Sequence, residues 1–74
     1  RLRTVSLPHA AAAVGSSLAD LALHALQVNV VSVRRADGRT ITPDDQFKLA
    51  GGDTLVLSGL PETLALAEAK LLTG

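Results

Sequence analysis

The first seven residues set Leu2, Val5 and Leu7 among polar Arg1, Arg3, Thr4 and Ser6. That alternation predicts a strand, ended by Pro8 because proline cannot donate to a sheet ladder. His9–Gly15 reads as a connector with helix-friendly alanines, closed by Gly15. From Ser17 the period changes. Leu18, Leu21, Ala22, Ala25 and Leu26 recur at helical spacing along one continuous face, and Ser17 with Asp20 three residues on resembles a capping box. Leu23 falls off that face, either as an exposed leucine or as a contact for a partner.

Val28–Arg35 is apolar on both alternating sets, Val28 and Val30 on one, Val31 and Val33 on the other. Such a pattern predicts a strand covered on two sides, or a central strand. Asp37-Gly38 then predicts a type I′ hairpin turn, with Arg39–Thr42 as the return strand. Thr42-Pro43-Asp44-Asp45 has the order of cap, first-turn proline and dipole-favoured acids, predicting one helical turn that carries Phe47 and Leu49. Gly51-Gly52 supplies a tight turn before a strand at Thr54–Ser58, with Leu55 and Leu57 on one face. Gly59 breaks that strand. Pro61 opens a last helix through Leu72, with Leu60, Leu64, Ala67 and Leu71 as its buried stripe. The order β-α-β-β-turn-β-α predicts one α+β domain over residues 1–74.

Composition sharpens this picture. At 74 residues and 47% apolar, with Phe47 the sole aromatic, the core must be built from Leu, Val, Ile and Ala. A domain this small buries only about 60% of its unfolded surface. The apolar surplus therefore predicts a homodimer, with Leu23, Val28, Val30 and Val31 as candidate interface residues. Seven basic residues balance seven acidic ones, which gives bulk nucleic-acid or anionic-membrane binding no support. There is no cysteine for disulfides or thiolate zinc sites. No apolar run approaches the ~20 residues that span a bilayer. The chain starts at Arg1 rather than Met and reads as a piece of a longer protein.

Candidate chemistry is sparse. Strand, glycine and helix start at Thr54–Glu62 have the outline of a phosphate-binding turn, but only Gly59 follows the strand and no lysine stands behind it. Glu62 would also repel an anion from the helix start. His9 and His24 lack the spacing of a catalytic or metal pair, and adjacent Asp44 and Asp45 point in different directions. These features predict neither an enzyme nor a metal site. Five of the seven basic residues, Arg1, Arg3, Arg34, Arg35 and Arg39, fall on the first strand and the hairpin. If packed together they would form a local patch for an anionic ligand.

The segments "AVGSSLADLAL", "VNVVSVRRADGRTITPDDQFKLAGGDTLVLSG" and "LPETLALAEAKLL" together resemble the TrkA-type C-terminal (RCK-C) domain, a regulatory module of bacterial potassium channels and transporters. The family's helix start is matched by Gly15, Leu18 and Leu21. Its strand, turn and Ile-x-Pro are matched by Arg35, Gly38, Ile41 and Pro43, and its ending by Leu49, Gly52, Asp53, Leu55, Leu57 and Gly59. "AVGSSL" and "LAEAKLLTG" resemble most the domains that end Kef-type monovalent cation:proton antiporters. The resemblance implies a small β-rich pseudo-barrel capped by a helix, dimeric, with Asp53 bonding turn amides. It also implies a cytosolic role on the inner face of the inner membrane, attached to or associated with a transport protein. The alternatives are a structural dimerisation module or the C-terminal half of a soluble potassium-channel gating subunit. Related domains bind cyclic di-AMP between protomers. By position the ligand candidates here are His24, Asn29, Ile41 and Pro43, with Arg34, Arg35 or Arg39 as phosphate partners. Where a phosphate-pairing arginine is expected, this chain has "ALHALQ", and a histidine offers no bidentate fork. The expectation is accordingly another small anion, a nucleotide or no ligand.

Overall fold

The computed structural model describes residues 1–74. Four strands, β1 (Leu2–Ser6), β2 (Asn29–Arg34), β3 (Thr40–Ile41) and β4 (Thr54–Ser58), form one antiparallel sheet in the order β1-β4-β2-β3. β1 and β3 are its two edges. A short helix α1 (Leu18–Leu21) and a 3-10 turn (Leu23–Leu26) precede β2, and helix α2 (Pro61–Thr73) follows β4. Leu64, Ala67 and Leu71 of α2 close over Val5, Val33, Leu55 and Leu57 of the sheet. The opposite face of the sheet carries no helix.

Five sequence expectations give way. The helix expected across Ser17–Leu26 breaks at Ala22, which takes a left-handed conformation with φ of 51°. Ser17 does cap it, accepting from Asp20 N–H, and Lys70 of α2 donates to the Leu21 carbonyl at the break. The break turns Leu23 inward, so it is buried in the protomer's own core, while Ala25 is exposed. Gln27 ends the 3-10 turn in the same left-handed region, φ 58°. Neither position is glycine, so each stores strain. Ala22→Gly is therefore expected to hold or raise the unfolding midpoint, by up to about 1 kcal/mol, although glycine in a regular helix costs a similar amount. A clear drop in the denaturation midpoint would show that Ala22 is not strained.

The doubly apolar run of β2 is the central strand that the sequence allowed, set between β4 and β3, and its second apolar set reflects a bulge, not cover on two sides. The register passes from Val30 opposite Leu57 to Ser32 opposite Val56, leaving Val31 as the extra residue. Val30 and Val33 can then face the same core despite odd spacing. Val28 is buried in that core, and Val31 is exposed.

The helical turn expected after Pro43 does not form. Only a single hydrogen-bonded turn remains, Phe47 N–H donating to the Asp44 carbonyl, and the chain then runs alongside α1, where the Asp45 and Phe47 carbonyls accept from Ala19 and Leu18 at its free N-terminus. Ser17 and Lys48 form a β-bridge beside them. The β2–β3 turn also differs from type I′. Gly38 has φ +91°, but Asp37 does not have positive φ. Gly38 N–H donates to the Arg35 carbonyl and Arg35 N–H to the Arg39 carbonyl, the pattern of a turn closed by a left-handed glycine bulge. Leu60, placed on the buried stripe of α2, is exposed at its N-cap.

Candidate functional site

Arginine placement depends first on strand parity. Arg3 lies on the core-side parity of β1 and reaches past the sheet to Glu68 of α2, Nη1 to Oε1 2.9 Å. Arg39 turns back on the hairpin, its Nε 2.9 Å from Asp37 Oδ2. The Asp37 carboxyl is held below the usual carboxylate range, first by the Arg39 backbone N–H and also by its guanidinium, which together outweigh desolvation. Because the folded-state value is lowered, this contact steadies the hairpin at neutral pH and is lost as pH falls through that value.

Arg35 is the most constrained of the set. Its Nη2 donates to the Lys48 carbonyl at 3.1 Å, and its guanidinium carbon lies 4.2 Å from the centre of the Phe47 ring. Its Nη1 stands 3.5 Å from Oδ2 of Asp53, a side chain only 1% exposed. The same Oδ2 accepts from Ala50 N–H at 2.8 Å, the turn-amide role expected of Asp53. Oδ1 has no hydrogen-bond partner. Gly52, with φ +88°, delivers Asp53 to this place. Three of the five arginines are thus taken up by carboxylates of the same chain, and the expected common patch does not form. Arg34 makes no ion pair and lies on the open face, since it pairs across strands with Thr54 and Thr40.

The other ligand candidates share one end of the molecule. β3 runs antiparallel to β2, so the chain leaving Ile41 heads toward the start of β2, where Asn29 lies. Asp45, just beyond Pro43, bonds to α1 there. His24 and Asn29 are exposed, and Ile41 and Pro43 are half-buried. No depression gathers the four within one protomer. A depression of about 260 Å³ lies instead on the open face, lined by Thr4, Ser32, Arg34, Thr40, Thr54 and Val56. Sequence reasoning missed these hydroxyls. Each is an ordinary polar residue in a strand, and only the strand order brings them together.

No helix is long and apolar enough to cross a membrane. No protein of curated function matches the chain. The family model of the TrkA-C domain matches residues 2–72. The fold is similar to the RCK_C domain dimer of S. agalactiae BusR in complex with c-di-AMP, with TM-score 0.79 and 17% identity over 95% of this chain and 93% of the other. S. agalactiae BusR in complex with its busAB-promotor DNA gives TM-score 0.81 at 17% identity, over 95% of this chain and 35% of that one. The GsuK channel bound to NAD gives 0.76 at 23% identity, over 95% of this chain and 13% of that one.

Proposed function

Because the chain belongs to the TrkA-C domain family, we propose that it is the dimerising, ligand-sensing regulatory domain of a monovalent cation transport protein, a cation:proton antiporter in particular. In this reading residues 1–74 are one module of a longer protein, held at the cytoplasmic side of the inner membrane. It does no catalysis. It biases transport by binding a ligand more tightly in one transporter state than in the other.

The observation that carries the reading is a fold shared along 95% of the chain with a domain dimer that holds c-di-AMP. The ligand would sit where two protomers bring their Asn29, Ile41, Pro43 and His24 ends together, since one protomer leaves them without an enclosing wall. Arg35 and Arg39 are occupied within the protomer. A nucleotide or other small anion with less need of bidentate phosphate pairing fits better than cyclic di-AMP. That same occupancy favours a second reading, a dimerisation module with no ligand.

Sedimentation and calorimetric titration with cyclic di-AMP, NAD and ATP test both. The expected result is a dimer at tens of micromolar that binds one of these ligands, with binding about tenfold weaker in Asn29→Ala. A dimer that binds none of the three leaves the structural reading. A stable monomer overturns both.

A further inference from the structure

The uncovered face of the sheet is organised in rows. Across all four strands, Ser6, Thr54, Arg34 and Thr40 stand side by side, each pair in register. The next row is Thr4, Val56 and Ser32, and beyond it Leu2, Ser58 and Asn29. Hydroxyls on a solvated antiparallel face are ordinary, because threonine suits strands. The central arginine among them is not. Arg34 has neither an ion pair nor a side-chain hydrogen bond, whereas Arg3, Arg35 and Arg39 are all paired with carboxylates. It is flanked on both sides by threonines, and Ser6 Oγ lies 3.3 Å from Thr54 Oγ1, which steadies that hydroxyl. No carboxylate lines the depression. The backbone of the inner strands β4 and β2 is committed to the ladder, so recognition there must come from these side chains.

We propose that this face is a binding site for a small phosphate-bearing anion, with Arg34 as its charged anchor and Thr54, Thr40, Ser32 and Thr4 as hydroxyl donors. One guanidinium fork matches two oxygens of a phosphate, and the flanking hydroxyls reach the others. Val56 and the space toward Leu2, itself exposed, receive a small apolar substituent. The site is centred on the Arg34–Thr54–Thr40 row, two rows from Asn29 on the same face, and takes in neither His24 nor Pro43. Arg34 and Thr40 share the open face, whereas their strand neighbours Val33 and Ile41 take the opposite parity. It needs no second protomer.

The experiment is a backbone-amide NMR titration of the 74-residue chain with inorganic phosphate at low salt, repeated with glycerol 3-phosphate and with phosphatidylglycerol vesicles, against a chloride control. Saturable shifts are expected at Thr4, Ser32, Arg34, Thr40 and Thr54, and not at His24 or Pro43. Arg34→Gln should weaken binding by roughly tenfold or more, Arg34→Lys by less, and Thr54→Val by a few-fold. Arg34 is exposed, so these variants should fold, which unchanged spectra elsewhere would verify. Saturation by both soluble phosphates assigns a free metabolite, and a response to vesicles alone assigns a lipid headgroup. Shifts that match the chloride control, or that survive Arg34→Gln, overturn the site. Shifts on this face that follow protein dilution instead of phosphate also overturn it, and give the face to a second copy. Binding confined to His24, Asn29 and Pro43 would support the regulatory reading above while refuting this one.

Discussion

Leu55→Ala is expected to unfold most of the protein at room temperature or leave it barely folded. Leu55 is wholly buried and sits on inner strand β4, opposite Val5 on one side and Val33 on the other. Removing a buried leucine side chain costs about 2–5 kcal/mol, through lost transfer energy and the cavity that remains. The whole domain has only roughly 4–11 kcal/mol to lose on per-residue scaling. Its core is entirely aliphatic, with no aromatic side chain among the fully buried residues to close around the gap. Urea denaturation followed by far-UV circular dichroism measures this. Leu66→Ala is the matched control, because Leu66 of α2 is exposed and its loss should move the midpoint by no more than about 0.5 kcal/mol. Equal midpoints for the two variants would mean that β4 is not the centre of the core.

The position of β4 explains why parts of the fold could be read from the sequence and others could not. Thr54–Ser58 and Pro61–Thr73 are legible because local signals coincide. Alternation with period two, a breaking glycine and a first-turn proline all point the same way. The errors lie where a residue's partner is distant in sequence. Nothing near Ala22 announces a left-handed break, since the reason lies in Lys70 and in a core that needs Leu23. The Val28–Val33 run looks two-sided until Val31 is seen as a bulge against β4, a strand more than twenty residues away. Pro43–Asp45 has good helix-start chemistry, but it closes only one turn, Asp44 to Phe47, before the chain is drawn into pairing with the start of α1.

The candidate site divides in the same way. The resemblance named His24, Asn29, Ile41 and Pro43 as one set, and the strand order shows why Ile41 and Pro43 approach the start of β2, where Asn29 lies. The five arginines fall on the first strand and on the hairpin, and would form one patch only if those two elements presented them on the same side. Strand parity sends Arg34 to one face and Arg3 to the other, and neighbouring acids occupy Arg35 and Arg39. The hydroxyl rows could not be seen at all without the order β1-β4-β2-β3.

Arg35 and Asp53 supply the second large effect, and it should be asymmetric. Arg35→Met removes the only cation near a carboxylate that is 1% exposed, leaving Ala50 N–H as its one donor. Stranding a buried charge in this way is expected to cost on the order of 3 kcal/mol. Asp53→Asn strands a guanidinium instead. That group is 25% exposed in its side chain, keeps the Lys48 carbonyl and still stacks on Phe47. Its cost should be smaller, on the order of 1–2 kcal/mol, mostly from the weakened turn at Ala50. The double variant should cost less than the two singles added, since neither charge is then left alone. Denaturation midpoints for the four proteins complete the cycle. If the single costs simply add, the 3.5 Å contact carries no coupling. Arg35 would then hold the Phe47–Lys48 segment by stacking and its carbonyl bond alone. If Asp53→Asn proves the costlier change, the carboxylate matters chiefly as an acceptor for the turn and not as the partner of Arg35.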